Sequence, residues 1–105
     1  MSKPSHFLYR IRPTRIGMLS EGPTERESQV VAQHFAYLEQ LVAEGTVLMA
    51  GRTLKPDAEA FGVVVFTAES ESAALELMRS DPAVKHGIMQ AELFPFRVAL
   101  WSSKP

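Results

Sequence analysis

Val63-Val64-Val65-Phe66 is apolar at four consecutive positions, and Val47-Leu48-Met49-Ala50 shows the same pattern earlier in the chain. A strand with one solvated face alternates apolar and polar residues, whereas one that is apolar at every position is buried on both faces. The chain has 105 residues, enough for one core and too few for two. Its two amphipathic helical segments can cover only one face of a sheet. The second face needs another cover, and two-fold homodimers are the commonest oligomers. We therefore expect one domain over residues 1–105 that forms a homodimer with its two sheets packed face to face.

The remaining elements follow from local pattern. Phe7 to Arg12 sets Phe7, Tyr9 and Ile11 against Leu8, Arg10 and Arg12, the period of a strand, and Pro13 ends it. Residues 13–23 hold two prolines and two glycines with no clear period, which predicts a long loop of the kind that serves as a lid. Thr24-Glu25-Arg26-Glu27 has the T-x-x-E form of a capping box and opens a helix. Its stripe runs Val31, His34, Phe35, Leu38, Leu41, Val42, and Gly45 closes it. Strands are expected at 46–51 and 61–67, joined through a Lys-Pro-Asp turn. A Ser70 cap opens a second helix with Ala73, Ala74, Leu77 and Met78 inward. Asp81-Pro82 starts a short extra turn that Gly87 closes, and residues 88–101 are again strand-like, with Pro95 requiring an edge or a bulge. The order is β-α-β-β-α-β, a ferredoxin-like α+β fold with a four-stranded antiparallel sheet.

Composition removes several function classes. A net charge of -1, with both signs interspersed, leaves no footprint for nucleic acid or for an anionic membrane surface. There is no cysteine, hence no disulfide, thiolate metal site or cysteine nucleophile. The N-terminal stretch has no apolar export region and no apolar run is long enough to span a bilayer, so a cytoplasmic protein is expected. Phosphate-binding glycine loops and nucleophile elbows are absent from the sequence.

Among the polar residues, His34 is the exception on its stripe. At about 100° per residue it lies roughly 40° from Leu38, inside the apolar arc. One reading is an imidazole at the core edge bonded to a carbonyl; the other is a general acid or base, which needs a partner. Asp81 is the candidate partner, although an Asp-Pro pair is also ordinary capping chemistry. His6, His34 and His86 lack the spacing of metal ligands, so no metal is expected. Arg10, Arg12 and Arg52, at strand ends, can bind a carboxylate or stay solvated. Tyr9 and Tyr37 read as packing residues.

His34, Leu38 and Leu41, then Gly45-Thr46-Val47-Leu48-Met49-Ala50-Gly51, then Asp81-Pro82, Gly87 and Pro95-Phe96, resemble the YCII-related family in the order H-x10-G-x5-G…D-P-x4-G…P-F. The resemblance implies a dimeric α/β-barrel, two ferredoxin-like protomers with sheets together. It also implies an active site built on a helix histidine and the aspartate of the D-P pair, here His34 and Asp81. Some members of the family carry out dehydrochlorination or lactone rearrangement of aromatic breakdown products. The substrate does not follow from the resemblance; the activity expected is cofactor-independent proton transfer of lyase or isomerase type on a small organic acid, with Arg52 or Arg10 holding the anionic end. Where many members have Ala-Gly-Pro, this chain has Ala50-Gly51-Arg52, which adds a cation free to meet a substrate carboxylate, Asp57 or Glu59. The alternative is a non-catalytic or stress-related module that holds a metabolite in the same cleft, lined by Phe35 and Met49.

Overall fold

The computed structural model describes residues 5–103; the first four residues of the stretch read for an export signal lie outside them. The elements run β1 (Ser5–Pro13), α1 (Gly17–Ser20), α2 (Glu25–Ala43), β2 (Val47–Arg52), β3 (Gly62–Ala68), α3 (Glu71–Ser80), α4 (Pro82–Lys85) and β4 (Met89–Phe96). The sheet has the order β2-β3-β1-β4, every neighbouring pair antiparallel, as the ferredoxin-like arrangement requires.

Register divides the sheet into two faces, because residues directly opposite in an antiparallel pair point the same way. One face carries the rows Pro95-Phe7-Phe66-Val47 and Leu93-Tyr9-Val64-Ala50, and then Ala91-Ile11-Gly62-Arg52. Helices α2 and α3 cover it, giving a core of Phe7, Tyr9, Leu38, Val47, Val64, Phe66, Ala74 and Met78. The other face carries Phe94-Leu8-Val65-Met49 and Glu92-Arg10-Val63-Gly51. No element of the described chain covers it, and Met49, Phe94 and Phe96 are exposed there.

Local chemistry accounts for the boundaries. Thr24 Oγ1 accepts from the Glu27 amide at 3.1 Å while Glu27 Oε1 accepts from the Thr24 amide at 2.8 Å, a complete capping box. Gly45 and Gly87 close their helices at φ of 82° and 74°, a left-handed conformation that costs glycine little.

Four expectations need correction. Residues 13–23 are not an unstructured loop: Gly17–Ser20 forms a helical turn whose Met18 is buried. Within α2 the buried positions are Glu27, Val30 and Leu38, so the stripe is rotated from the one predicted and Phe35 is 65% exposed. Strand β2 is the sheet edge and has a register irregularity between Val47 and Met49, so only Val47 is buried in it. The last strand ends at Phe96, which pairs with His6, rather than running on to residue 101.

Candidate active site

The site starts from the junction of α3 and α4. A residue preceding proline is pushed out of the helical region, and Asp81 accordingly adopts φ -59°, ψ 122°, ending α3 and opening α4. Its side chain accepts from the Ala83 amide at 3.0 Å, so the capping reading holds. Capping uses only part of the carboxylate's capacity. Its side chain is 0% exposed, and an ionised carboxylate sealed from water needs further donors.

Two side chains supply them. His34 lies four residues from both Val30 and Leu38, on the face of α2 that those residues bury, and its Nδ1 sits 2.7 Å from Asp81 Oδ1 and 2.8 Å from Oδ2. Tyr9, on the central strand β1, donates its hydroxyl to Asp81 Oδ2 at 2.8 Å. Burial and the neighbouring Asp81 charge push the Tyr9 hydroxyl well above the ordinary tyrosine range, so it stays protonated and remains a donor. Tyr37, one turn along from His34, donates to the Leu77 carbonyl at 2.7 Å and ties α2 to α3; burial and then Asp81 push its hydroxyl up to about 12.

The chemical consequence lies in the second ring nitrogen. A carboxylate accepts only, so the proton of a neutral His34 belongs on Nδ1, leaving Nε2 with a lone pair. Nε2 has no hydrogen-bond partner among the described residues and is not sealed from solvent. His34 lines a cavity of about 330 Å³ between α2, the α1 segment and the strand ends. Asp81 lies behind the imidazole and outside the cavity lining. An imidazole held at Nδ1 by an acceptor, with its other nitrogen unbonded in a residue that lines an open cavity, has the arrangement a general base requires.

The cavity walls are mostly apolar, with Met18, Leu19, Val31, Phe35, Phe61 and Met89 among them. Met49, expected in the wall, is instead on the opposite face of the sheet. The three candidate arginines differ in their relation to the cavity. Arg52 shares the row of Ile11 and Gly62 on the helix-covered face, lines the cavity, and forms no ion pair with another described residue; Asp57 Oδ1 accepts from the Glu59 amide instead. Arg10 points to the other face, where it binds Glu92 Oε1 at 3.1 Å and stands 5.7 Å from the Phe61 ring. It is behind the cavity wall, outside the lining. Arg12 reaches the rim, with Nη2 3.4 Å from Gln90 Oε1. His6 accepts from the Val98 amide, away from the site, and His86 is exposed beyond α4. Among the described residues no three histidine, aspartate or glutamate side chains gather as a metal set.

Tyr9 is the site residue that sequence reasoning missed. The available signal was its place in the inward series Phe7, Tyr9, Ile11: a tyrosine at the centre of a core strand must find a partner for its hydroxyl.

A family model described as the YCII-related domain matches residues 8–97. This chain belongs to that family. Comparison with curated proteins gives no match. Among solved structures, this YCII-related chain is similar to 5-chloro-2-hydroxyhydroquinone dehydrochlorinase from Burkholderia phenoliruptrix, determined with 2,5-dihydroxybenzoquinone: 23% identity, 87% of this chain and 93% of that one, TM-score 0.62. It is also similar to an uncharacterized protein from Thermotoga maritima, with 10% identity, 90% and 100% coverage, and TM-score 0.54. At these identities the likeness is one of fold. No helix among the described residues is long and apolar enough to cross a membrane.

Proposed function

We propose that this chain is a cofactor-independent enzyme of lyase or isomerase type that moves a proton on a small, compact organic acid. The observation that carries the reading is the fully buried Asp81 holding His34 Nδ1 while Nε2 stays unbonded and the residue lines the cavity. In this reading His34 Nε2 takes a proton from the carbon next to a carbonyl. The electron pair of the broken C–H bond moves into the carbonyl, and Asp81 stabilises the imidazolium that forms. Collapse of the enolate either returns the proton to a different carbon or expels a group from the adjacent carbon. Arg52 holds the anionic end of the substrate, a contact made alike in the bound and reacting states.

A cavity of about 330 Å³ with apolar walls suits a single six-membered ring. The six-membered ring of 2,5-dihydroxybenzoquinone, held by the structurally similar dehydrochlorinase, supports that choice. The uncovered sheet face, with its row Phe94-Leu8-Val65-Met49, supports a homodimer with the sheets together. Sedimentation of the purified protein tests this directly: a stable monomer at micromolar concentration would exclude it.

Proton abstraction is tested without knowing the full reaction. A panel of monocyclic oxo and hydroxy acids is incubated with protein in D₂O and followed by NMR for deuterium entering the carbon acid. The expected result is exchange that His34→Ala abolishes. Exchange equally fast with His34→Ala would refute the base. The scarcity of polar groups in the cavity lining favours one alternative, a module that only holds a metabolite, and it predicts saturable binding with no exchange.

A further inference from the structure

We propose that Tyr9 is a positioning residue for His34: its hydroxyl locks the Asp81 carboxylate in the plane that keeps the imidazole proton on Nδ1 and the free nitrogen on the cavity. The inference deepens the reading of His34 as a base and rests on it for its consequence in turnover, but its structural content is testable alone.

The Ala83 amide grips Oδ1 from the start of α4, and a single donor leaves a carboxylate free to swing about its Cβ–Cγ bond. Tyr9 grips Oδ2 from a different layer of the protein, the middle of the central strand. With both oxygens held, His34 Nδ1 is almost equidistant from them, at 2.7 and 2.8 Å. Tyr9 is suited to the task because it cannot move: it is wholly buried, its ring meets Phe66 edge-on at 5.7 Å, and β1 pairs on both sides. The groups able to influence His34 are few. They are Asp81 at the head of α4, Tyr37 on its own helix, Tyr9 and Arg12 on β1, and Arg52 on β2. Of these, Tyr9 is the one whose side chain joins His34 in bonding to the Asp81 carboxylate; Tyr37 donates to Leu77 and Arg12 to Gln90. Removing the Tyr9 hydroxyl leaves Oδ2 bonded to the imidazole alone and lets the carboxylate rotate, so a second tautomer, with the proton on Nε2, becomes accessible and cannot act as a base.

The test is NMR of ¹⁵N-histidine-labelled protein, reading the tautomer of His34 from its ring-nitrogen shifts and the solvent exchange of its Nδ1 proton. In wild type one tautomer and a protected proton are expected. Tyr9→Phe, which removes one oxygen and no packing, should accelerate that exchange roughly tenfold and populate the second tautomer, the scale on which outer hydrogen bonds fix a histidine. In an Asp81→Asn background the same change should do nothing, since the action runs through Asp81. A folded Tyr9→Phe protein with wild-type exchange and a single tautomer overturns the proposal, as does an equal effect in both backgrounds. A purely packing role would lower Tm and leave the tautomer alone. Where Tyr9→Phe does not fold, 3-fluorotyrosine incorporated in a Tyr37→Phe protein strengthens the remaining hydroxyl donor; a His34 Nδ1 proton resonance that does not move then overturns the proposal. If His34→Ala retains deuterium exchange while the Tyr9 effect is present, the base assignment fails and the positioning contact survives. On a substrate that turns over, Tyr9→Phe should lower kcat by roughly ten- to a hundredfold with KM little changed.

Discussion

Among the described residues two carboxylates are buried at helix starts, and they hold different partners. Glu27 completes the capping box of α2 and is gripped by Arg15, whose Nη2 lies 2.7 Å from Oε1 and whose Nε lies 3.0 Å from Oε2. Asp81 caps α4 and is gripped by His34 and Tyr9. The Glu27 partner is a guanidinium that never loses its proton and also bonds the Gly22 carbonyl at 2.8 Å, so the cluster pins residues 15–22 to α2 and nothing in it titrates near neutrality. The Asp81 partner is an imidazole that can exchange a proton through its far nitrogen. An acceptor paired with a permanent cation makes a clasp. The same acceptor paired with an imidazole beside a cavity leaves a nitrogen free for the general-base role proposed above.

The two clusters diverge most sharply under substitution of the ring. His34→Ala should reduce proton transfer by roughly 10²–10⁴-fold while the protein stays folded, as checked by turnover and thermal melts. The size of that ratio measures how far the two clusters differ. Arg52→Met should raise KM on the order of tenfold and leave kcat nearly unchanged, because it removes a contact made before and during the reaction alike. An unchanged KM would take Arg52 out of the binding role.

The clasp is sharpened by acid. Hydrogen bonds from Arg15, followed by the Thr24 amide, hold the Glu27 carboxyl down to about 2. A depressed carboxyl contributes stability above its ordinary range near 4.5 and loses it as pH falls towards 2. Denaturation midpoints should therefore drop across that window in wild type, and Glu27→Gln should remove this part of the drop. An identical pH profile in the variant would show that the clasp stabilises nothing. Thr24→Ala should cost about 1 kcal/mol in chemical denaturation through loss of the cap, with deuterium exchange unaffected. Smallest of all, Arg10→Met should leave turnover within about twofold, as for a surface substitution away from the site. A large loss would place Arg10 in the site after all.

Much of this was legible in one dimension. Thr24-x-x-Glu27, Asp81-Pro82, Gly45 and Gly87 are local signals: each concerns a few adjacent residues whose backbone groups need partners wherever the rest of the chain goes. The alternation Phe7, Tyr9, Ile11 against Leu8, Arg10, Arg12 puts Arg10 on the face away from Tyr9, but it does not settle which arginine meets the cavity, since Arg12 on the same face lines it. The turn at Gly17–Ser20 was not legible, because its stabilisation comes from burying Met18 and from the Arg15–Glu27 clasp rather than from any helical period. Phe35 read as core because a helical wheel gives the width of a stripe and leaves its rotation to neighbours. Here that rotation leaves Phe35 exposed in the cavity wall.

By itself the sequence determined the order of the four strands and of the helices after Thr24, their caps and the inward residues of β1, since these follow from periodicity and from backbone groups satisfied within a turn or two. Only the tertiary structure decided that residues 9, 34 and 81 share one hydrogen-bonded cluster and that Arg52 lines the cavity while Arg10 stands behind its wall. Contacts between positions so far apart depend on register, helix rotation and layer packing, which local pattern constrains without fixing. A carboxylate cap can be read from two adjacent letters; what else that carboxylate holds is settled by the folded chain.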